Sequence, residues 1–213
     1  QTCALPICTH PLDKGFKGAR SYLKIGNDNI IREHFTISRG TAEESETIIG
    51  DGNYIMTSGH IAHNARVGNN TVIASCSLVA GYVEVEDNAF ISGGVAIHQF
   101  CRIGRNAMIG GMTRVNKDAP PYFRYAGLYI EPEGLNSVGL RRAGFSEESR
   151  RALKAAYKLL FRSSLKTSDA LRRIEEELAC EETTRLVAFI RASKRGICHA
   201  PRGHVANVAS EED

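Results

Sequence analysis

Aliphatic side chains recur at every sixth residue through the middle of this chain. The run comprises Ile49, Ile55, Ile61, Val67, Ile73, Val79, Val85, Ile91, Ile97, Ile103, Ile109 and Val115. A period of six matches neither the 3.6-residue period of an amphipathic helix nor the two-residue alternation of a half-buried strand. It is typical of parallel β-helices built from hexapeptides, in which successive turns of the chain stack on one another. The pattern therefore predicts a coil rather than a set of hairpins.

The same phase continues upstream of this run, at Ile25, Ile31 and Ile37. It fails only at Glu43, inside the acidic stretch 42–46, so we predict a surface loop that interrupts one coil there. Glycine or alanine often follows the aliphatic residue directly, as at Gly50, Gly68 and Gly104. Because glycine adopts a positive φ without steric cost, these positions are predicted to be the tight corners of the coil.

The pattern changes after Val115. The stretch 118–122 contains two prolines, which cannot donate to a β-ladder, so the coil is predicted to stop there and an irregular stretch to run to about Phe145. Helices are predicted from Ser146, from Ser168 and from about Thr183, where apolar residues take helical spacing. The fold class is thus mainly β with a C-terminal α part. The predicted boundaries are 11–120 for the β-helix, 121–197 for a helical domain and 198–213 for a disordered tail.

Residues 1–10 are predicted to be an artefactual or disordered leader. The first seven residues lack a start methionine and the charged-then-apolar order of a signal peptide, and they can be back-translated into a common sequencing-adapter oligonucleotide. On this hypothesis the first coils of the β-helix are missing, because the six-residue register is already running at Ile25.

Composition narrows the class of protein. Hydrophobic residues make up 42% of the 213 residues, and no apolar run approaches the roughly 20 residues of a membrane-spanning helix. We therefore expect a protein without a transmembrane segment, in the cytoplasm. Six cysteines show no CxxC spacing, which favours free thiols in a reducing compartment over disulfides or a zinc cage.

Positive charge is concentrated near the C-terminus. Between residues 141 and 195 there are 14 Lys or Arg against 8 Asp or Glu, although the whole chain carries only +3. These residues either form ordinary solvated helix faces or provide a docking surface for an acidic macromolecule. An acidic protein is favoured over nucleic acid, because the basic residues alternate with Glu and no aromatic stacking platform accompanies them.

Candidate chemistry concentrates around His60 and His63. If the coil has three sides of six residues, residues 18 apart stack, so Gly81 lies above His63 and Gln99 lies above Gly81, roughly 4.8 Å per step. Ile61 points inward by the repeat, His63 is expected to point outward, and His60 is expected at or near the preceding corner. A histidine base beside a glycine N–H is the combination that acyl transfer needs, since the base deprotonates the nucleophile and the N–H stabilises the oxyanion.

Eight short motifs follow one another along the chain: Ile30-Ile31-Arg32-Glu33, Thr36-Ile37-Ser38-Arg39-Gly40-Thr41, His60-Ile61-Ala62-His63, Val79-Ala80-Gly81, Ile97-His98-Gln99-Phe100, Ile109-Gly110-Gly111, Asp118-Ala119-Pro120-Pro121-Tyr122 and Gly139-Leu140-Arg141-Arg142-Ala143-Gly144-Phe145-Ser146. In this order they resemble the acyl-ACP:UDP-N-acetylglucosamine O-acyltransferases of lipid A biosynthesis, where ACP is acyl carrier protein. The resemblance covers about 11–196. It implies a left-handed parallel β-helix of hexapeptide repeats followed by a small helical domain.

The resemblance also implies roles for individual residues. His63 would be the general base, the Gly81 N–H would hold the oxyanion, and Gly111 would set the acyl length, with glycine leaving room for a long chain of about fourteen carbons. The residues implied to bind substrate are Asp13, His60, His98, Gln99, Asn136 and Arg142. The implied partners are UDP-N-acetylglucosamine, acyl carrier protein at the basic helical domain, and two further copies of the chain in a homotrimer. No cofactor and no metal are implied.

Two departures from the family pattern lie beside the predicted base. Asn64 stands where the family often has aspartate, so His63 would lack a charged orienting partner, and Tyr82 stands where histidine is common. They leave open an acyltransferase that acts on an amino-sugar variant. An acetyl-CoA-dependent hexapeptide acetyltransferase is a second possibility. A third is a trimeric zinc hydratase or a binding scaffold of hexapeptide type in which His60, His63 and His98 would be metal ligands, and stoichiometric zinc would favour it.

Overall fold

A computed structural model describes residues 4–199 of the chain. Within these residues, eighteen strands form three sheets that are parallel except for one final antiparallel hairpin. The first sheet contains β1 (Ile7–Thr9), β4 (Thr36–Ser38), β7 (His60–Ile61), β10 (Leu78–Val79), β13 (Ala96–Ile97) and β16 (Arg114–Val115). The second contains β2 (Tyr22–Ile25), β5 (Glu46–Ile49), β8 (Arg66–Val67), β11 (Glu84–Val85) and β14 (Arg102–Ile103). The third contains β3 (Ile30–Ile31), β6 (Tyr54–Ile55), β9 (Val72–Ile73), β12 (Phe90–Ile91), β15 (Met108–Ile109), β17 (Phe123–Ala126) and β18 (Glu131–Leu135).

Successive strands visit the three sheets in turn, so the chain forms the three-sided, left-handed β-helix that the six-residue period and the family resemblance predict. Stacked partners are 18 residues apart through most of the coil, for example His60 opposite Leu78. Every aliphatic residue of the run from Ile49 to Val115 is at most 3% exposed and fills the interior. Burial of these side chains fixes the register, since a one-residue slip would turn the whole set outward.

Two loops interrupt the coil. Tyr22 pairs with Glu46 and Thr36 with His60, so partners there are 24 residues apart, and the predicted loop around 42–46 is confirmed. Ile7 pairs with Ile37, 30 residues away, which reveals a second, longer loop between β1 and β2 that the periodicity did not indicate. The strand β1 also corrects the prediction of a disordered leader over 1–10, because Ile7–Thr9 continues the first sheet; residues 1–3 lie outside the described part.

The corners differ from the prediction. A positive φ occurs at the third residue after the aliphatic position, as at Asn64, Asn70 and Asn88, and not at the glycines directly after it. Asparagine adopts this left-handed conformation more readily than most residues. The glycines serve another purpose: a Cβ at Gly50 would lie 2.6 Å from the carbonyl oxygen of Gly68 in the next coil, so close stacking leaves no room for a side chain.

The region predicted to be irregular and then helical, 121–197, begins with the β17–β18 hairpin, which extends the third sheet. Phe123 and Tyr125 are fully buried while Arg124 between them is exposed, a two-residue alternation that the sequence interpretation missed. Four helices follow in the described part of the chain: α1 (Ser137–Arg142), α2 (Glu147–Phe161), α3 (Thr167–Glu177) and α4 (Glu181–Arg191).

The predicted start of α2 is confirmed, since the Ser146 hydroxyl accepts a hydrogen bond from the Ser149 N–H. The helices pack on the end of the coil, where the Tyr157 hydroxyl donates to the Pro132 carbonyl at 2.9 Å. Among residues 4–199, no helix is long and apolar enough to cross a bilayer. The predicted tail lies outside the described residues apart from Cys198 and His199.

Candidate active site

His63 lies at the corner between the first and second sheets, two residues after the buried Ile61. Its neighbours are Gly81, Tyr82, Asn64 and Asp13, none of which belongs to the aliphatic interior, so the ring is directed away from the core as predicted. These neighbours cover the ring, and the side chain is only 8% exposed. A histidine held this firmly is oriented for proton transfer.

The imidazole of His63 packs directly against Gly81 of the next coil. A Cβ at position 81 would lie 2.7 Å from Nε2 and 3.0 Å from Nδ1 of His63, so any side chain there would displace the ring. Gly81 does not have a positive φ, and its N–H donates no hydrogen bond to any described residue. The 18-residue stacking therefore brings together the base and the uncommitted donor that the sequence suggested.

Asp13 reaches the same corner from the loop between β1 and β2. Its Oδ2 lies 3.7 Å from His63 Nε2, and its Oδ1 accepts a hydrogen bond from the Gly15 N–H at 2.7 Å, which fixes the turn. The structure thus places Asp13 beside His63, although only the resemblance had linked them. Thr41 enters from the other loop and was not singled out from the sequence; its N–H and hydroxyl both donate to Asn64 Oδ1, at 3.1 and 2.8 Å.

His60 is the first residue of β7, two residues after the positive φ of Ser58, which agrees with the expected position near the preceding corner. Its Nδ1 is 2.6 Å from the Thr36 hydroxyl, and its Nε2 is buried without a hydrogen-bond partner among the described residues. Burial lowers the pKa of His60, and the nearby His63 lowers it further, while the contact with Thr36 acts in the opposite direction. His60 is therefore favoured as a neutral imidazole with one free nitrogen.

His98 and Gln99 lie one coil beyond Gly81, as the stacking predicts. His98 is exposed, with Nδ1 at 3.0 Å from the Gln99 carbonyl oxygen. Within residues 4–199, no three His, Cys, Asp or Glu side chains are grouped so that they could hold a metal ion. His60, His63 and His98 are therefore not grouped as a metal-ligand set within one chain.

The remaining predicted residues lie elsewhere in the same chain. The Asn136 side chain caps α1 by accepting from the Gly139 N–H, and it donates to the carbonyl of Asn106 at the corner between the second and third sheets. Arg142 ends α1. Gly111 is exposed at the corner between the third and first sheets. The fold of one chain does not bring these three residues to the His63 corner.

A groove of about 620 Å³ opens at Asn64 and Tyr82, two residues that contact the His63 ring. On the coil it is lined by Tyr82 and Phe100, whose rings stack with centroids 5.1 Å apart, and by Arg66. Its opposite wall carries Lys194 and Arg195, just beyond α4. The groove thus connects the His63 corner with the basic helical part of the chain, and it combines aromatic surface with positive charge.

The family match and four similar proteins all name a UDP-N-acetylglucosamine acyltransferase. Residues 118–198 match the family described as UDP-N-acetylglucosamine O-acyltransferase, domain 2. The chain is 44% identical to the acyl-ACP–UDP-N-acetylglucosamine O-acyltransferase of Alkalilimnicola ehrlichii over 191 residues, which cover 88% of this chain and 73% of that protein. It is also 44% identical to the enzyme of the same name from Anaeromyxobacter sp. strain K, over 88% of this chain and 74% of that protein.

Solved structures agree with these sequence matches. The UDP-N-acetylglucosamine acyltransferase of Bacteroides fragilis superposes with a TM-score of 0.87 at 43% identity, covering 91% of this chain and 76% of the other. The Arabidopsis enzyme superposes with a TM-score of 0.85 at 39% identity, covering 89% and 70%. The similarity therefore includes the coil, the corner that holds His63 and the helices.

Proposed function

Because the chain belongs to the acyl-ACP–UDP-N-acetylglucosamine O-acyltransferase family, we propose that His63 is the general base of its acyl transfer and that the Gly81 N–H is the oxyanion donor. The enzyme transfers a 3-hydroxyacyl chain from acyl carrier protein to the glucosamine 3-hydroxyl of UDP-N-acetylglucosamine, the first step of lipid A biosynthesis. The contact of the His63 ring with Gly81 is the observation that carries the residue assignment.

The reaction follows from this geometry. Nε2 of His63 takes the proton of the 3-hydroxyl as its oxygen attacks the thioester carbonyl carbon, and the Gly81 N–H donates to the oxygen that becomes negative. When the tetrahedral intermediate collapses, the new C–O bond stays, the C–S bond breaks, and the proton on His63 passes to the leaving sulfur. The base is then regenerated, and no cofactor takes part in the step.

The sugar nucleotide is proposed to bind around the same corner. Asp13 is suited to accept hydrogen bonds from sugar hydroxyls, since its carboxylate lies near Nε2 and its side chain is 40% exposed. His60 offers an unpaired buried nitrogen, and a buried polar atom without a partner is costly unless a ligand satisfies it. His98 and Gln99 stand one coil further along, in line with His63 and Gly81, and extend the site along the coil.

We propose a homotrimer whose active sites lie between neighbouring chains. Gly111 lies at another corner of the coil, and Asn136 and Arg142 lie at the start and end of α1, all separate from His63 within one chain. A neighbouring copy can bring these residues opposite the His63 corner, and closed symmetry then repeats the site three times. The exposed Ile30 and Phe90 on the outer face of the third sheet provide apolar surface for such packing.

Acyl carrier protein is proposed to dock on the basic helical part. Residues 141–195 carry an excess of six positive charges, which complements an acidic partner. The groove between Lys194 and the Tyr82–Phe100 pair leads from this surface to Asn64 and Tyr82, two neighbours of His63, and it offers a flexible acylated arm a surface route toward the base. The cytoplasm is the proposed location, because the five described cysteines are all free thiols, which a reducing compartment maintains.

The assignment is tested by His63→Ala and Gly81→Ala, assayed with UDP-N-acetylglucosamine and 3-hydroxyacyl carrier proteins of several lengths. Loss of the base is expected to lower kcat by at least about a hundred-fold. Gly81→Ala is expected to have a similar effect, because the new methyl group displaces the His63 ring. The matched control is His34→Ala, an exposed histidine at another corner, which should retain parental activity.

Circular dichroism and light scattering should show that both variants remain folded and assembled. Activity of His63→Ala within a few-fold of the parent would refute the assignment of the base. Parental activity of Gly81→Ala would contradict the close packing of His63 against Gly81 on which the residue assignment rests.

A further inference from the structure

A chain of hydrogen bonds runs from Tyr82 to the proposed base. The Tyr82 hydroxyl is 3.1 Å from Thr41 Oγ1, which is 2.8 Å from Asn64 Oδ1, which in turn is 3.1 Å from Nδ1 of His63. Tyr82 also packs the edge of its ring against His63, with the two centroids 5.4 Å apart at 83°. Asn64 and Tyr82 are the two positions beside the base where the sequence departs from the family pattern, and Thr41 joins them.

The direction of every bond in this chain follows from one backbone group. The Thr41 N–H can only donate, and it donates to Asn64 Oδ1 at 3.1 Å, so the oxygen of the carboxamide must face Thr41 and His63. An amide oxygen only accepts, so Nδ1 of His63 must carry a proton. The single proton of the Thr41 hydroxyl is likewise committed to Asn64, and the Tyr82 hydroxyl must therefore donate to Thr41.

Protonation of Nδ1 leaves the lone pair of the neutral imidazole on Nε2, the nitrogen that faces Asp13. The arrangement depends on the loop that interrupts the coil, since that loop delivers Thr41 to the corner. Asn64 itself is held in the left-handed conformation, and its N–H donates to the hydroxyl of the buried Thr47 at 2.8 Å. Hydrogen bonds thus fix both the backbone of Asn64 and the oxygen of its side-chain carboxamide.

We propose that Thr41 and Tyr82 are positioning residues for His63: through Asn64 they hold the imidazole in the Nδ1–H tautomer with Nε2 as the base. The inference rests on the proposed role of His63. Thr41 and Asn64 are uncharged. The ionisable side chains around the His63 ring are Asp13 on the Nε2 side, His60 in β7 and Tyr82. The contact at Nδ1 of His63 is therefore an uncharged carboxamide instead of a carboxylate, and Thr41 and Tyr82 orient the imidazole by fixing that carboxamide.

The test combines kinetics with 15N NMR of the histidine side chains, with the His63 signals assigned by their absence from His63→Ala. Thr41→Val removes the hydroxyl but keeps the N–H and the shape. It is expected to lower kcat about five- to ten-fold, the effect of one lost hydrogen bond, with KM within about two-fold. The population of the Nε2–H tautomer should rise at the same time, because the backbone N–H alone holds the carboxamide oxygen of Asn64 less firmly than the N–H and the hydroxyl together. Thr41→Ser restores the hydroxyl and should recover most of kcat and of the Nδ1–H tautomer.

Tyr82→Phe keeps the ring against His63 and removes only the terminal donor, so it should show a smaller loss of kcat in the same direction, about two- to three-fold.

Asn64→Asp preserves all three acceptor contacts but adds a carboxylate beside Nδ1. Because a negative charge favours the imidazolium, the acidic limb of the pH profile of kcat/KM should move to higher pH. An unmoved acidic limb would contradict the contact of Asn64 Oδ1 with Nδ1 of His63 on which the inference depends.

Unchanged kcat and an unchanged tautomer in Thr41→Val would overturn the inference, as would a Thr41→Ser variant no better than Thr41→Val. This failure is distinct from that of the proposed function. If His63→Ala remained active, His63 would not be the base, whereas the NMR measurement would still report whether Thr41 sets its tautomer.

Discussion

At Gly111 the backbone conformation and the packing do not require glycine, so we infer a functional reason for glycine there. Its φ is not in the left-handed region, and a Cβ there would meet only the carbonyl oxygen of Gly93, at 3.3 Å, and the Cβ of Ser92, at 3.9 Å. A small shift would accommodate a side chain, so the fold does not demand glycine. Gly81 is the opposite case, since the His63 ring occupies the space of its side chain. The open surface at Gly111 is therefore available for an acyl chain.

Gly111→Met is expected to shift the preference toward shorter acyl chains, because the new side chain would occupy the open surface at this corner that the end of a long acyl chain needs. Competition between 3-hydroxyacyl carrier proteins of different lengths measures this directly. Gly111→Ala should give an intermediate shift, with thermal stability close to that of the parent. The same preference in all three proteins would exclude a role for Gly111 in acyl-length selection.

The junction between coil and helices is organised by Asp118. This residue is 1% exposed; its Oδ1 accepts from the Arg102 N–H at 2.9 Å, and its Oδ2 accepts from the Ser193 hydroxyl at 2.7 Å. Its backbone also pairs with the segment after α4, as the Cys198 N–H donates to its carbonyl. One carboxylate thus joins the second sheet to residues 75 positions later in the chain.

Asp118→Ala is expected to lower the free energy of unfolding by about 2–4 kcal/mol, because it leaves two partly buried donors without acceptors. Urea unfolding followed by circular dichroism provides the value. Asp169→Ala, which removes an exposed partner of Arg172, is the matched control and should change stability by no more than about 0.5 kcal/mol. Equal effects of the two substitutions would contradict the role of Asp118 at the junction.

At the scale of the whole molecule, the separation of Arg142 from His63 within one chain predicts complementation between chains. His63→Ala and Arg142→Ala should each be nearly inactive alone. Trimers that contain both variant chains should recover about a third of parental activity, because one of their three sites combines an intact base with an intact arginine from its neighbour. Coexpression with two affinity tags isolates these trimers. An inactive mixture would place both residues in the same chain's site.

The sequence by itself determined the coil, the stacking of Gly81 on His63 and the starts of the later helices. These features follow from local periodicity, because burial of one aliphatic residue in six fixes the register and capping residues fix helix ends. Only the tertiary structure decided that Asp13 and Thr41 meet His63, and that 123–135 forms a hairpin on the third sheet. Those contacts depend on where two irregular loops return to the coil and on how the chain folds back after the last coil. Contacts between residues distant in sequence leave no periodic signal.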